Sequence, residues 1–262
     1  MTSIATTLGK TVLAAALAAA TAMSVQAAAV YQTGTKAPWG VTTNEVAMDT
    51  AFGDTNWTRQ SGFSLADITG ASFAFLDGSD NAANELNSFL TANITALESY
   101  VSAGGRLFLN AAPNQGGNIN FGFGGVTLTY GGTFSDTATV NADGVAAGLT
   151  AGGLPTNYTG NWFSHATVSG GAITSLIDGT AGSVFAVKSF GKGFVAFGGQ
   201  TTTNWHAPFA ESQALLVNEL KYVANAQTAA VPEPETYALI VAGLAVVGAS
   251  LRRRKAAEAV AA

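Results

Sequence analysis

The clearest hydrophobic pattern in the chain is a strand, helix and strand in its second quarter. The apolar run at 72–76 predicts a short buried strand, which a polar turn at 77–80 follows. Apolar residues then recur at steps of three and four, which is typical of one face of a helix. These residues are Leu86, Phe89, Leu90, Ile94, Leu97, Tyr100 and Val101. The glycine pair at 104–105 favours the end of that helix, and 106–111 predicts a second buried strand. We therefore expect a β-α-β unit with two parallel strands and a right-handed crossover.

Glycine-rich apolar segments predict further strands downstream, followed by a last helix. Segments 121–130 and 133–140 are expected to be β structure, and 183–197 is expected to be a hairpin that turns at 191–193. Pro208 opens an amphipathic helix that is expected to cover the sheet. One face of that helix is expected to carry Phe209, Leu216, Leu220 and Val223. The predicted fold class is α/β, a single domain at 30–230 with a partly parallel sheet flanked by helices and a β-rich, glycine-rich middle section.

The first 29 residues have the pattern of a secretory signal peptide. A single basic residue, Lys10, precedes an uncharged apolar run at 11–25, and small residues follow. Cleavage by a signal peptidase after Ala27 or after Ala29 would satisfy the small-x-small rule, and both sites stay open. We therefore expect the rest of the chain to be exported across the inner membrane.

The C-terminal residues, 231–262, contain three consecutive signals and a short tail. Segment 231–236 begins with Val231, Pro232, Glu233 and Pro234, an extended and accessible motif. The apolar run at 237–251 predicts a single transmembrane helix, which is short at roughly 22 Å. The basic cluster that follows is expected to stay in the cytoplasm: Arg252, Arg253, Arg254 and Lys255. The tail is 256–262. A plain membrane anchor that is never cleaved is the alternative interpretation.

This order of motif, short helix and arginine cluster resembles the PEP-CTERM sorting signal at 231–255. The resemblance implies recognition of Pro232, Glu233 and Pro234 by a membrane-embedded exosortase, which is thought to cleave near them. In that family the protein is released or transferred to the surface of Gram-negative bacteria that make exopolysaccharide. The same signature has also been labelled an ice-binding protein C-terminal domain, a label that describes the address and not the ligand.

The order of elements in the predicted domain resembles the class I glutamine-amidotransferase-like fold. The resemblance rests on the helix, the glycine pair, the strand at 106–111, the hairpin around 191–193 and the closing helix. Catalytic members use a cysteine nucleophile with a histidine and an acid. This chain has no cysteine, and 111–116 offers no serine in its place. The resemblance therefore implies a degenerate, non-catalytic domain.

Composition and charge exclude several classes of protein. The chain is 48% hydrophobic and only 10% charged, which is unlike a disordered protein, and without cysteine it has no disulfides. Segment 30–230 carries six basic and thirteen acidic residues, a net charge of about −7. Nucleic acid is therefore not an expected partner. We also expect no cofactor and no bound metal.

Few residues are candidates for catalysis. The two histidines, His165 and His206, each lie close after a tryptophan and are either structural or catalytic. A hydrolase would need both of them to converge with Asp77 and Asp80 in one cleft. The turn that holds these two aspartates is expected to cap the following helix through Ser79, Asp80 or Asn81, and a calcium site is the alternative.

Aromatic residues are the candidates for ligand binding. Stacking on sugar rings is one interpretation of these residues, and packing in the core is the other. The residues are Trp39, Trp57, Tyr158, Trp162 and Trp205. The loops at 114–120 and 201–204 suit hydrogen bonding to a polysaccharide. The predicted ligand contacts are Trp162, Trp205, Asp77, Asp80 and His206.

The sequence thus predicts an exported surface or extracellular-matrix protein whose domain binds exopolysaccharide or has a structural role, without catalysis. A surface hydrolase that acts on a glycan or peptide is one alternative. Ice binding is another, although the threonine run at 201–203 is short and unrepeated.

Overall fold

A computed structural model describes residues 28–227, which build one eleven-stranded sheet with helices on its faces. The elements in chain order are β1 (Ala29–Thr33), α1 (Thr43–Phe52), β2 (Trp57–Ser61), α2 (Leu65–Thr69), β3 (Ala74–Asp77), α3 (Ala83–Ser102), β4 (Arg106–Asn110), β5 (Ile119–Gly122), β6 (Val126–Val140), α4 (Ala142–Ala146), β7 (Asn157–Ser169), β8 (Thr174–Gly179), β9 (Gly182–Phe190), β10 (Gly193–Gly198), β11 (His206–Ala207) and α5 (Phe209–Asn225). Short 3₁₀ turns lie at Pro38–Gly40 and Thr203–Trp205. The predicted signal peptide, apart from its last two residues, and the segment at 231–262 lie outside the described residues.

The sheet has a parallel half and an antiparallel half. The parallel strands run in the order β2-β1-β3-β4-β10, and β9, β8, β6, β7 and β11 continue the sheet with antiparallel pairing. Strands β3 and β4 pair in parallel, with Ala74 opposite Leu107 and Asp77 opposite Asn110. The predicted parallel β-α-β unit is therefore confirmed, with β3 shifted two residues from its expected start. The order reverses at β1 and β3, as in doubly wound α/β proteins.

Alternate residues of the parallel strands form two separate cores. On one face, Tyr31, Phe75 and Phe108 stack across β1, β3 and β4, with ring centroids 5.0 and 4.8 Å apart, and helix α5 contributes buried residues to the same core. On the other face, Leu76 and Leu107 belong to the core of α3. That helix buries the predicted stripe of residues, of which Leu86, Leu90, Leu97 and Val101 are fully enclosed. Helices therefore cover both faces of the parallel strands.

Helix α5 begins directly after Pro208, as the sequence predicts, but its first residue, Phe209, is not part of the core. Phe209 is 53% exposed, whereas Leu216, Leu220 and Val223 are buried as expected. The expectation for Phe209 is wrong because the packed stripe of α5 begins only at Ser212. After α5, the Arg106 Nε at the start of β4 donates to the carbonyl oxygen of Ala226 at 3.0 Å. The end of the described chain is thus fastened to the amino end of β4.

The glycine-rich middle section is β structure, but its turns differ from the prediction. The chain reverses at 123–125, where Gly124 and Gly125 have positive φ, so β5 ends before that point. The second glycine pair, Gly131 and Gly132, lies inside the single long strand β6, where the register with β7 shifts. The predicted break between 130 and 133 is therefore a bulge and not a turn. The predicted hairpin of β9 and β10 is confirmed, with Phe190 opposite Gly193.

Between residues 28 and 227, no helix combines the length and the apolar character that crossing a membrane requires.

Candidate functional site

A cleft of about 430 Å³ opens beside the carboxyl ends of the parallel strands. Trp39 follows β1, Asn114 follows β4 and Trp205 follows β10, and the other walls come from β6 and β7. Open α/β sheets place their ligands at this edge. We call this site the aromatic cleft, and its lining residues are Trp39, Asn114, Tyr130, Phe134, Asn161, Trp162, His165 and Trp205.

The rings of the aromatic cleft meet at nearly right angles. The imidazole of His165 is 5.7 Å from Trp39, 5.6 Å from Phe134 and 6.1 Å from Trp162, with interplanar angles of 89°, 90° and 85°. The rings of Phe134 and Trp162 are 4.7 Å apart at 76°. The rings therefore pack edge to face and do not lie in one plane as a flat platform.

The structure divides the predicted set of aromatic residues. Trp162 and Trp205 are 43% and 38% exposed at the aromatic cleft, and Trp39 lies with them. Trp57, in contrast, donates from Nε1 to Asp49 and packs beside Tyr31. Tyr158 is buried in the core, and its hydroxyl has no partner among the described residues. Three of the four tryptophans are thus available to a ligand at one place.

Two tryptophans of the aromatic cleft have a strained backbone. Trp39 has φ 51° and Trp162 has φ 68°, and a bulky residue in the left-handed region costs about 1–2 kcal/mol. In both cases the backbone N–H donates to an aspartate, at 3.1 Å to Asp80 Oδ2 and at 3.1 Å to Asp136 Oδ1. Strain that the surrounding structure holds in place is typical of functional sites.

Asp80 supports the aromatic cleft from behind. Its Oδ1 accepts from Asn114 Nδ2 at 2.7 Å, and its Oδ2 accepts from the backbone of Trp39. The prediction that Ser79, Asp80 or Asn81 caps the next helix is wrong. Helix α3 begins after Ala82, and no side chain bonds its first turn. Asp80 has φ 54°, and its carboxylate bonds to the cleft residues instead of to the helix.

Asp77, another predicted ligand contact, is fully buried and does not line the aromatic cleft. Its Oδ1 accepts from Ser79, through N–H at 3.0 Å and Oγ at 2.5 Å, and from Asn110 at 3.0 Å. Its Oδ2 accepts from Asn44 at 2.7 Å. Burial raises the pKa of Asp77 to about 6, although these hydrogen bonds oppose the rise. Both carboxylate oxygens are thus occupied by protein donors.

The two histidines have different environments. His165 Nδ1 lies 3.0 Å from the carbonyl oxygen of Pro113, so Nδ1 carries the proton and Nε2 is an acceptor. No described protein group bonds this Nε2, and burial lowers the pKa of His165. His206 stacks on Phe163 at 3.9 Å and places Nε2 3.0 Å from the carbonyl oxygen of Phe163. Burial lowers the pKa of His206 to about 3, so its ring is neutral.

The four groups that a hydrolase would need do not share one cleft. Only His165 lines the aromatic cleft, whereas Asp80 lies behind it and Asp77 and His206 are buried. Within residues 28–227, no three histidine or acidic side chains lie together as a metal site would require.

A buried polar network joins the sheet to α5. Asn110 Nδ2 donates to Asp77 and to the carbonyl oxygen of Gln200, and Gln200 N–H donates back to Asn110 Oδ1 at 3.1 Å. Gln200 Nε2 then donates to both carboxyl oxygens of Glu219 at 3.2 Å. Glu219 is fully buried, and this burial raises its pKa to about 8.

The family comparison concerns the C-terminal segment. Residues 230–255 match the PEP-CTERM protein-sorting motif. The chain carries a PEP-CTERM sorting motif. This confirms the resemblance stated above, and the motif supports sorting of the chain by an exosortase toward the cell surface.

Solved structures show only a distant likeness to this chain. A β-galactosidase from Rahnella sp. R3 has 13% identity and a TM-score of 0.42, over 76% of this chain and 32% of that one. An exo-β-1,4-mannosidase from Opitutaceae bacterium strain TAV5 has 11% identity and a TM-score of 0.40, over 76% and 36%. A cytoplasmic protein from Salmonella typhimurium has 12% identity and a TM-score of 0.45, over 75% and 98%.

The chain spans about a third of the length of the two glycosidases. At these TM-scores the likeness carries no argument about function. No curated protein matches the chain in sequence.

Several residues of the aromatic cleft could not be predicted from the sequence. Tyr130 and Phe134 reach the site from β6, and Asn161 reaches it from β7. Their meeting depends on the irregular register between these two long strands. Asp136 was not predicted either. It accepts a hydrogen bond from the Trp162 N–H, which lies 26 residues further along the chain.

Proposed function

We propose that this PEP-CTERM protein is cleaved by an exosortase near Pro232-Glu233-Pro234, and that its exported domain binds exopolysaccharide in the aromatic cleft without catalysis. The observation that carries the proposal is the pair of tryptophans, Trp39 and Trp162, held in a strained backbone by aspartates. A fold that only needed apolar packing at this place would gain nothing from that strain.

The chemistry of the lining suits a sugar. Aromatic rings pack against the apolar faces of pyranose rings, and the amide groups of Asn114 and Asn161 can exchange hydrogen bonds with hydroxyl groups. Ligand sites of roughly 300–1,000 Å³ with a few polar groups among apolar walls are common, and this cleft has that character. The exposed rings of Trp162 and Trp205 are the first contacts that a polymer would meet.

Retention on the host's own matrix polymer tests the binding proposal. We expect Trp162→Ala and Trp205→Ala each to weaken retention about tenfold, because aromatic anchors dominate such contacts. Phe209→Ala is the matched control, since Phe209 is an exposed aromatic residue outside the aromatic cleft. Unchanged retention in both tryptophan variants would reject the proposal.

Intact mass tests the processing proposal. We expect protein recovered from the host envelope and medium to end near residues 231–236. Replacement of Pro232, Glu233 and Pro234 by alanine is expected to abolish that product. An intact C-terminus in both proteins would instead indicate a simple membrane anchor.

A surface hydrolase that acts on a glycan or peptide is the alternative, but of the four groups that it would need only His165 lines the aromatic cleft. It predicts shorter polymer chains after incubation, and loss of that shortening in His165→Ala. For ice binding, the further alternative, the structure buries all three threonines of the 201–203 run. A thermal hysteresis measurement tests it.

A further inference from the structure

We infer that the aromatic cleft selects sugars that carry a positively charged amino group over neutral and acidic sugars. This inference rests on the proposed binding of exopolysaccharide and names the class of sugar within it. The occupant is thus a polymer of hexosamine units whose amino groups are free and not acetylated.

The arrangement of rings is the first support. The rings of His165 and its three aromatic neighbours, and those of Phe134 and Trp162, meet edge to face at nearly right angles. The lining of the aromatic cleft therefore presents aromatic surface in more than one plane. An ammonium group gains from each aromatic face within about 6 Å, because the face is the negative side of the ring. A flat platform would give a sugar one face only.

The distribution of charge is the second support. The aromatic cleft has no Asp, Glu, Lys or Arg in its lining, and burial lowers the pKa of His165, which favours the neutral ring. Two carboxylates, Asp80 and Asp136, accept hydrogen bonds from the backbone N–H groups of the lining residues Trp39 and Trp162. One cation, Lys36, lines the neighbouring pocket together with Asp80. The local balance is therefore negative, as is the balance of the described residues, which carry six basic and thirteen acidic side chains.

These two features act on the same ligand group. Cation–π contacts and complementary charge favour an ammonium group, and the same carboxylates repel a uronic acid. An acetylated hexosamine keeps the size of the sugar but loses the charge, so it is the informative comparison. We expect a preference of about tenfold for the free amine, which corresponds to one or two partly desolvated cation–π contacts.

The test is a fluorescence titration of the purified full-length chain with three oligosaccharides of equal length. These are β-1,4-linked glucosamine, its N-acetylated form and an oligouronate, at mildly acidic pH where the amines are charged. We expect the glucosamine oligomer to bind about tenfold more tightly than the N-acetylated one, and the oligouronate to bind most weakly. Equal binding of the free and acetylated oligomers would overturn the inference and leave the proposed function standing. Absence of binding by all three, with unchanged polymer retention in the tryptophan variants, would overturn both.

Two substitutions separate charge from positioning. Asp80→Asn and Asp136→Asn remove a carboxylate but keep a side-chain oxygen that can accept the tryptophan N–H. In Asp80→Asn the new amide nitrogen faces Asn114, whose own amide turns over so that its oxygen accepts. We expect each to weaken glucosamine binding severalfold without changing the affinity for the acetylated oligomer. Asp67→Asn, at an exposed acid on α2 outside the aromatic cleft, is the control and should change neither. An equal loss for both oligomers would show that the carboxylates only hold the walls in place, which contradicts the inference.

Discussion

The buried carboxyl of Glu219 predicts an unusual dependence of stability on pH. The side-chain amide of Gln200 donates hydrogen bonds to this carboxyl group. Burial raises the pKa of Glu219 from 4.5 to about 8. The folded protein therefore keeps a proton that the unfolded chain releases above pH 4.5. The stability that this proton contributes is complete below pH 4.5 and is lost as the pH rises through 8.

The magnitude follows from the difference in pKa. Each pKa unit corresponds to about 1.36 kcal/mol, so the free energy of unfolding falls by roughly 5 kcal/mol between these pH values. Asp77 acts in the same direction, because its pKa rises from 3.8 to about 6. His206 acts in the opposite direction, because its pKa falls from 6.5 to about 3 and its contribution is lost as the pH falls through that range. Taken alone, these three groups place maximum stability near pH 4.

Substitution of Glu219→Gln tests this reasoning, because glutamine has the shape of the protonated carboxyl and does not titrate. We expect equal free energies of unfolding for wild type and variant at pH 4, and a variant more stable by several kcal/mol at pH 9. The assay is urea unfolding across this pH range. Glu211→Gln, on the same helix and partly exposed, is expected to follow wild type. Parallel pH profiles of Glu219→Gln and wild type would refute the argument.

Three further predictions concern the backbone and the aromatic cleft. Ala172 is exposed and has φ 54°, a conformation that glycine adopts without strain. Ala172→Gly is therefore expected to raise the free energy of unfolding by about 1 kcal/mol in urea unfolding. An unchanged free energy of unfolding would show that the backbone at this position is not strained. Asp80→Ala removes the acceptor of the Trp39 N–H and of Asn114 together with the carboxylate charge. It is expected to weaken binding of the acetylated oligomer about tenfold in the same titration, and binding of the free-amine oligomer by more. Unchanged binding of the acetylated oligomer would argue against positioning. Ala29 is buried in β1, and its backbone N–H donates to the carbonyl oxygen of Asn56 at 3.0 Å. Signal peptidase is therefore expected to cleave after Ala27, so that the processed protein begins at Ala28. An intact mass that corresponds to a chain beginning at Val30 would contradict this.

The elements that could be predicted from the sequence are those whose signal is local. The stripe from Leu86 to Val101 and the glycines after it define α3 and its flanking strands without reference to the rest of the chain. The glycine pairs at 124–125 and 131–132 are alike in sequence, yet one is a turn and the other is a bulge. That difference depends on which strand lies opposite, and no local pattern reports it.

The candidate site was predictable only in part, for a related reason. Two of the predicted ligand contacts, Trp162 and Trp205, are exposed and line the aromatic cleft. The residue facing them, Phe134, lies 28 positions before Trp162 and meets it only through the pairing of β6 with β7. Asp80 has the composition of a helix cap, but the partners that it bonds, Trp39 and Asn114, come from two other loops.

The bond from Arg106 to Ala226 fixes the edge of the sheet from which the chain continues toward its C-terminal segment. Ala226 is held at the amino end of β4, and β1 also begins at that edge, so both ends of the described chain leave from one side of the sheet. Residues 227–229 alone separate Ala226 from the matched motif. The aromatic cleft lies at the opposite edge, a strand length of about 17 Å away. Under the proposed function, an exosortase at the C-terminal segment and a polymer in the aromatic cleft approach opposite edges of the sheet and do not compete for one surface.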